Sequence, residues 1–169
     1  RIPNDGNPVA FVDADVQFMN PNWVKETLEQ LEHYHVVQMF SEAIDMDYQY
    51  RRTGTENRTG ICFNYNNGIP VCNTTDDGYG KTTTHQGGHP GYAWAWRRDA
   101  FNLVGGLIDI SIVGSADWQM AAGLMGNIED SFAPGISEGY KHHLRQWGER
   151  AKKLRRNVGH VPGMVAHYW

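Results

Sequence analysis

Asp13 and Asp15 are the residues with which this chain could most directly do chemistry. Separated by one residue, their carboxylates point the same way on an extended backbone and could share a hard divalent cation such as Mg²⁺ or Mn²⁺. An Asp-x-Asp pair also arises in acidic surface turns, and on spacing alone that is its commoner meaning. Here it follows Pro8-Val9-Ala10-Phe11-Val12, an apolar run of the kind a buried strand shows. The carboxyl ends of such strands are where α/β sheets keep their sites. Tyr92, Trp94 and Trp96 alternate with small residues, so one face of a strand would carry three rings. Core packing is the ordinary fate of such rings, and stacking on a sugar is the other use. Asp117, just before Trp118, reads by itself as a helix N-cap. Each of the eight histidines, taken alone, reads as a surface or structural residue rather than a ligand.

The elements that must position these groups follow an α/β pattern. After the Asp13 strand, Asn20 and Pro21 read as an N-cap and first helical residue, and Trp23, Val24, Thr27, Leu28 and Leu31 recur at helical spacing to about Glu32. Residues 35–40 read as the next strand, giving strand, helix, strand. The pattern dissolves over residues 41–60. A hairpin about Asn66-Asn67-Gly68 is expected over residues 61–73, and residues 74–89, rich in Thr, Gly and Asp, read as a long, flexible, exposed loop. Helices are expected over residues 97–104, ended by Gly105-Gly106, over 116–124, and over 137–156, the longest, with a strand-like segment after Val158. No repeat at a fixed period is present.

Composition narrows the function classes. At 169 residues, 40% apolar and 20% charged, the chain can bury one sizeable core, so residues 1–169 read as a single domain or part of one. No apolar run is long enough to span a bilayer. A formal charge of −4 argues against a general nucleic-acid binder. Seven of the fifteen basic residues fall between Lys141 and Arg156, where they read as a solvated helix face. Cys62 and Cys72 form neither a disulfide framework nor a zinc pattern, though across a hairpin a single bridge between them is open.

The strand Phe11-Val12-Asp13-Ala14-Asp15, followed by Val16-Gln17-Phe18-Met19, resembles the Asp-x-Asp strand of glycosyltransferase A-fold enzymes, in particular the family 2 type of phage and bacteria. Gly91-Tyr92-Ala93-Trp94-Ala95-Trp96-Arg97-Arg98, then Val104-Gly105-Gly106-Leu107 and Gly114-Ser115-Ala116-Asp117-Trp118, is similar to the acceptor-side segment of these enzymes. Gly163-Met164-Val165-Ala166-His167 resembles the metal-binding segment of galactosyltransferases, and Gly159-His160-Val161 that of polypeptide GalNAc-transferases. The resemblance runs from about Pro8 to His167.

What the resemblance implies is a metal-dependent, inverting transferase that moves a hexosyl group from a nucleotide-diphosphate sugar, a UDP-sugar above all, to a carbohydrate or glycoconjugate hydroxyl. It assigns Asp15 to Mn²⁺ or Mg²⁺, Asp13 to the donor ribose or the ion's water, and Asp117 to the base that takes the acceptor proton. His167 becomes a further metal ligand, Met164 a weaker one, and His160 the alternative to His167. Trp94, Trp96, Trp118, Gly105 and Gly106 fall on the acceptor side. Where many members carry Glu-Asp, this chain has Ala116-Asp117, which removes one acceptor contact and keeps the base.

In the family a nucleotide-binding half of the sheet precedes the Asp-x-Asp strand, and here only twelve residues precede Asp13. The chain is therefore expected to be the metal- and acceptor-binding part of such a fold, completed by a preceding segment of the same protein or by another chain. The phage and bacterial flavour of the resemblance points to a cytoplasmic setting. Residues 74–89, with Lys81, would serve as a lid over the donor. The competing classes are a non-catalytic carbohydrate-binding module on the aromatic strand and, behind it, a metal-dependent hydrolase.

Overall fold

A computed structural model describes residues 6–76, 82–112 and 114–168. The fold is mixed α/β. Its first strand, β1 (Val9–Val12), and the short β2 (Val16–Phe18) are separated only by the segment that carries Asp13 and Asp15. Helix α1 (Trp23–His33) follows, with Asn22 rather than Asn20 at its N-cap. Asn20 starts the helix indirectly, because its Oδ1 accepts the Asn22 N–H at 2.9 Å. Next come β3 (Val36–Gln38), β4 (Glu42–Met46), β5 (Arg52–Thr59) and the short helix α2 (Ile61–Asn66). The second half holds β6 (Cys72–Asp76), β7 (Thr82–Gln86), β8 (Ala93–Trp96), α3 (Arg98–Val104), α4 (Ala116–Leu124), α5 (Glu138–Ala151), β9 (Val158–His160) and β10 (Met164–Tyr168).

The strands form two four-stranded sheets, ordered β1-β8-β3-β9 and β2-β10-β4-β5, and a two-stranded ribbon of β6 and β7. In the first sheet β8 runs antiparallel to both β1 and β3, and β9 lies parallel to β3. Side chains alternate across it. Val36, Trp94, Trp96 and Val158 face a core closed by α3, α4 and α5, where Val104, Leu124 and Leu144 are buried. Val37, Ala93 and Ala95 face a second core, closed by Leu31 of α1 and by Ala43 and Val165 of the second sheet. The first sheet is thus the middle layer, which explains why its strands are short and nearly all apolar.

The helices end where glycine allows it. Gly105, at φ +83°, is the left-handed cap of α3, and its N–H returns to the Asn102 and Phe101 carbonyls. Helix α5 begins at Ser137, whose Oγ accepts the Tyr140 N–H. Lys141 pairs with Glu138 and Arg145 with Glu129, and just past the helix Lys152 pairs with Glu149. No helix among the described residues is long and apolar enough to cross a membrane.

Several expectations are corrected. Residues 61–66 are helical rather than the first arm of a hairpin, because the free N–H groups of that turn find acceptors: Ile61 N on the His89 carbonyl and Cys62 N on Gln38 Oε1, both at 3.1 Å. Asn67-Gly68 still turns the chain, but at the end of that helix. Cys62 is a buried free thiol, so no bridge forms, and burial pushes its pKa up. Within residues 74–89 lie strand residues of β6 and β7 rather than an open loop, with Thr74 opposite Thr84 and Thr75 opposite Thr83. β-Branched residues favour that extended backbone even without apolar neighbours. Lys81 lies outside the described residues.

The polar segment of residues 41–60 holds β4 and β5, which supply one edge of the second sheet. The polarity reflects β5 at the sheet edge and a half-buried β4 beside it rather than a missing strand. Its turn is made by Asp47, whose Oδ1 accepts the Gln49 and Arg51 N–H groups at 2.8 and 2.9 Å. Finally, the three rings of residues 92–96 do not share a face. Tyr92 sits at φ +76°, just before β8, and this left-handed residue breaks the alternation. Its ring joins the second core, while Trp94 and Trp96 join the first.

Candidate active site

The segment from Asp13 to Asp15 is a corner at which the chain leaves one sheet for the other. Asp13 N donates to the Tyr92 carbonyl at 2.8 Å, which ties it to the β8 side. Asp15 accepts the Tyr168 N–H at 2.9 Å through its carbonyl, which ties it to β10. Val16 N closes the turn on the Asp13 carbonyl at 3.3 Å. The backbone of each acidic residue is therefore tied to a different sheet.

A cleft of about 300 Å³ lies against this corner, lined by Asp13 and Asp117 together with Phe11, Trp94, Ile108 and Met120. Asp117 stands in the first turn of α4, half-buried, with its Oδ1 accepting the Trp118 N–H at 2.8 Å. Its Oδ2 lies against Gly91, where an added Cβ would come within 2.9 Å. Burial raises the Asp13 pKa, and the nearby Asp15 and Asp117 charges add to the rise against the opposing Tyr92 hydrogen bond and the pull of His167. Residues more than a hundred positions apart are thereby brought into one electrostatic neighbourhood.

His167, near the end of β10, faces the same corner. Its Nε2 lies 3.5 Å from Asp15 Oδ2, and its Nδ1 lies 3.1 Å from Asp45 Oδ1 on the neighbouring β4. Asp45 also accepts from the Tyr92 hydroxyl at 3.1 Å and from the Arg58 guanidinium. Burial opposes ionisation of Asp45, but the bonds from Arg58, His167 and Tyr92 outweigh it and hold its pKa below the usual carboxylate range. The Tyr92 ring lies between two imidazoles, stacked on His89 at 3.8 Å and tilted against His167 at 4.6 Å. Burial, and then the Arg58 charge, push the His89 pKa down to about 4.

Among the described residues no three His, Cys, Asp or Glu side chains converge closely enough to hold a metal unaided. Asp15 and His167 make a two-donor set instead, one carboxylate and one imidazole. That set fits a Mn²⁺ or Mg²⁺ ion that takes its other ligands from a diphosphate and from water, since such ions are commonly held by few protein groups together with substrate phosphates.

The other residues singled out in the sequence fall elsewhere. Met164 starts the same strand as His167, but three positions along a continuous strand reverse the face, so the two side chains point oppositely and cannot meet one ion. His160 is on β9, across β8 and β3 from β1, roughly 14 Å away by strand spacing. It bonds Asn66 Oδ1 at 2.9 Å and packs edge-on against Phe63, a structural histidine rather than an alternative to His167. Trp96 is wholly buried, so no sugar can reach it. Trp94 is nearly so, with its Nε1 donating to the Pro90 carbonyl at 2.7 Å. Gly105 and Gly106 end α3, and the Gly106 carbonyl accepts the Trp147 Nε1–H at 2.9 Å. They shape the helix end rather than the cleft. Trp118 is half-buried and packs on the first core.

Sequence reasoning missed Asp45, Arg58 and His89, together with Gln38, whose side chain bonds the His89 carbonyl at 2.8 Å. No short motif marks them. Only the register that sets Asp45 beside His167 does so. Compared with known proteins, the chain matches no family model, no curated protein and no solved structure.

Proposed function

We propose that the chain is the metal- and acceptor-binding part of a glycosyltransferase of the A fold, moving a hexosyl group from a nucleotide-diphosphate sugar to a carbohydrate hydroxyl with inversion. One observation carries this reading: Asp13, Asp15, Asp117 and His167, widely separated in sequence, gather at one corner beside a cleft. Asp15 and His167 would hold a Mn²⁺ or Mg²⁺ ion, which supplies charge neutralisation for the leaving diphosphate. Asp13, which lines the cleft, would hydrogen-bond the donor. Asp117 accepts the acceptor's hydroxyl proton as that oxygen bonds to the anomeric carbon. The bond from that carbon to the phosphate oxygen breaks at the same time, and its electron pair leaves with the diphosphate. The apolar walls formed by Phe11, Ile108 and Met120 keep water from competing for the donor.

A carbohydrate-binding module has less support. Its aromatic platform would need Trp94 and Trp96 exposed, and both are buried. The test is cleavage and transfer of a panel of nucleotide sugars in the presence of Mn²⁺, on the full-length protein. Activity with at least one UDP-sugar is expected, with loss in Asp15→Ala. Failure of every donor to bind or react, with Asp15→Ala indistinguishable from wild type, would sink the reading.

A further inference from the structure

Asp45 makes no contact with the cleft, yet it is the best-connected carboxylate near it. Strands β10 and β4 run parallel, and their register sets His167 beside Asp45. The Asp45 Oδ1 to His167 Nδ1 distance is 3.1 Å, and the other ring nitrogen faces Asp15 Oδ2 at 3.5 Å. A neutral imidazole has one N–H and one lone pair, and an ionised carboxylate only accepts. In a neutral ring the Asp45 contact is a hydrogen bond only with the proton on Nδ1, an arrangement that turns the Nε2 lone pair toward Asp15. Asp45 is itself held from two sides, by the Tyr92 hydroxyl on Oδ1 and by Arg58 on Oδ2. The Tyr92 ring lies against the His167 ring and limits its rotation.

We propose that Asp45 is a positioning residue that fixes the tautomer and orientation of His167, so that His167 Nε2 and Asp15 present a ready-made two-donor site to a divalent cation. This inference rests on the metal half of the reading above. The carboxylate acts through the histidine, as carboxylates behind metal-binding histidines commonly do. Arg58 and Tyr92 keep Asp45 from turning toward the ion itself. A purely structural Asp45, serving only its ion pair with Arg58, would leave the tautomer of His167 and the cation affinity untouched.

The experiment uses the full chain and Mn²⁺ alone. Calorimetric titration gives the affinity for wild type, Asp45→Ala and Asp45→Asn. Long-range ¹⁵N NMR on the metal-free protein, with the His167 signals assigned by their loss in His167→Gln, gives the tautomer. The Nδ1–H form is expected in wild type. Asp45→Ala is expected to lose that preference and to weaken Mn²⁺ binding about 10- to 100-fold. Asp45→Asn keeps an acceptor oxygen and should recover most of both. A proton on Nε2 in wild type overturns the proposal without the need for any variant to fold. So does wild-type Mn²⁺ affinity in Asp45→Ala or, should that variant not fold, an Asp45→Asn protein with its His167 proton on Nε2. No Mn²⁺ binding by wild type would overturn the metal reading and this inference together, whereas unchanged binding in the variants overturns this inference alone.

Discussion

Gly91 and Asp117 occupy one shared volume: a Cβ on Gly91 would lie 2.9 Å from Asp117 Oδ2. The carboxylate is the free end of a side chain, so it would yield before the backbone did. Gly91→Ala is therefore expected to leave the fold and Mn²⁺ affinity intact while displacing the proposed base. Misplacement of a reacting group by about 1 Å can cost about 100-fold in rate. Initial rates of transfer, beside a thermal melt, check this. A variant as active as wild type would mean that the position of Asp117 does not matter.

Asp117→Asn separates a base from a helix cap. An amide oxygen can still accept the Trp118 N–H that Asp117 Oδ1 now takes at 2.8 Å, so α4 should persist. Proton removal would be lost, and transfer should fall about 10²- to 10⁴-fold with Mn²⁺ affinity unchanged. Loss of stability with little loss of rate would assign Asp117 to the helix instead.

His89 gives the pH dependence a direction. Its Nδ1 accepts the Gly91 N–H at 3.2 Å, and burial with the nearby Arg58 charge lowers its pKa from 6.5 to about 4. Between these values the unfolded chain binds a proton that the folded one refuses, so stability rises with pH through the window and is lost as pH falls from about 6.5 to about 4. Solvent still reaches part of the ring, so a loss of about 1–2 kcal/mol is expected rather than the full value. His89→Phe keeps the stack on Tyr92 and removes the titration. Urea unfolding at several pH values should show that loss in wild type and a correspondingly flatter profile in the variant.

The first sheet and its helices were legible because their residues face one core each. Val36 and Val37 alternate between two cores, Gly105 ends α3, and α4 runs over the residues its apolar pattern marks. The second sheet was not, because polar β5 is its edge strand and β4 finds its other neighbour in β10, over a hundred residues later. At the site, Asp13, Asp15 and Asp117 carry local signatures, a strand end and a helix start. Asp45 and Gln38 carry none, since each is defined by a partner distant in sequence. Tyr92 shows the limit of periodicity: a single left-handed residue turned its ring from the core of Trp94 to that of Val37.

Gln38 is the buried polar residue on which the site's local geometry depends. It is fully buried in the middle of the first sheet, where an apolar side chain would be ordinary. Its Nε2 donates to the His89 carbonyl at 2.8 Å and reaches the Gly91 carbonyl at 3.4 Å, and its Oε1 accepts the Cys62 N–H at 3.1 Å. One amide thus joins the start of α2 to the stretch that places Gly91 beside Asp117. Gln38→Leu has nearly the same volume but leaves the Cys62 N–H without its acceptor. The Gly91 carbonyl loses its side-chain donor as well. The cost of unpaired buried groups, about 1–3 kcal/mol each, predicts a destabilisation of about 2–4 kcal/mol. The variant should also lose transfer activity beyond what its folded fraction explains, because residues 89–91 are released. Chemical denaturation measured beside Mn²⁺-dependent turnover decides the point, and a Gln38→Leu protein as stable and as active as wild type would show that this amide positions nothing.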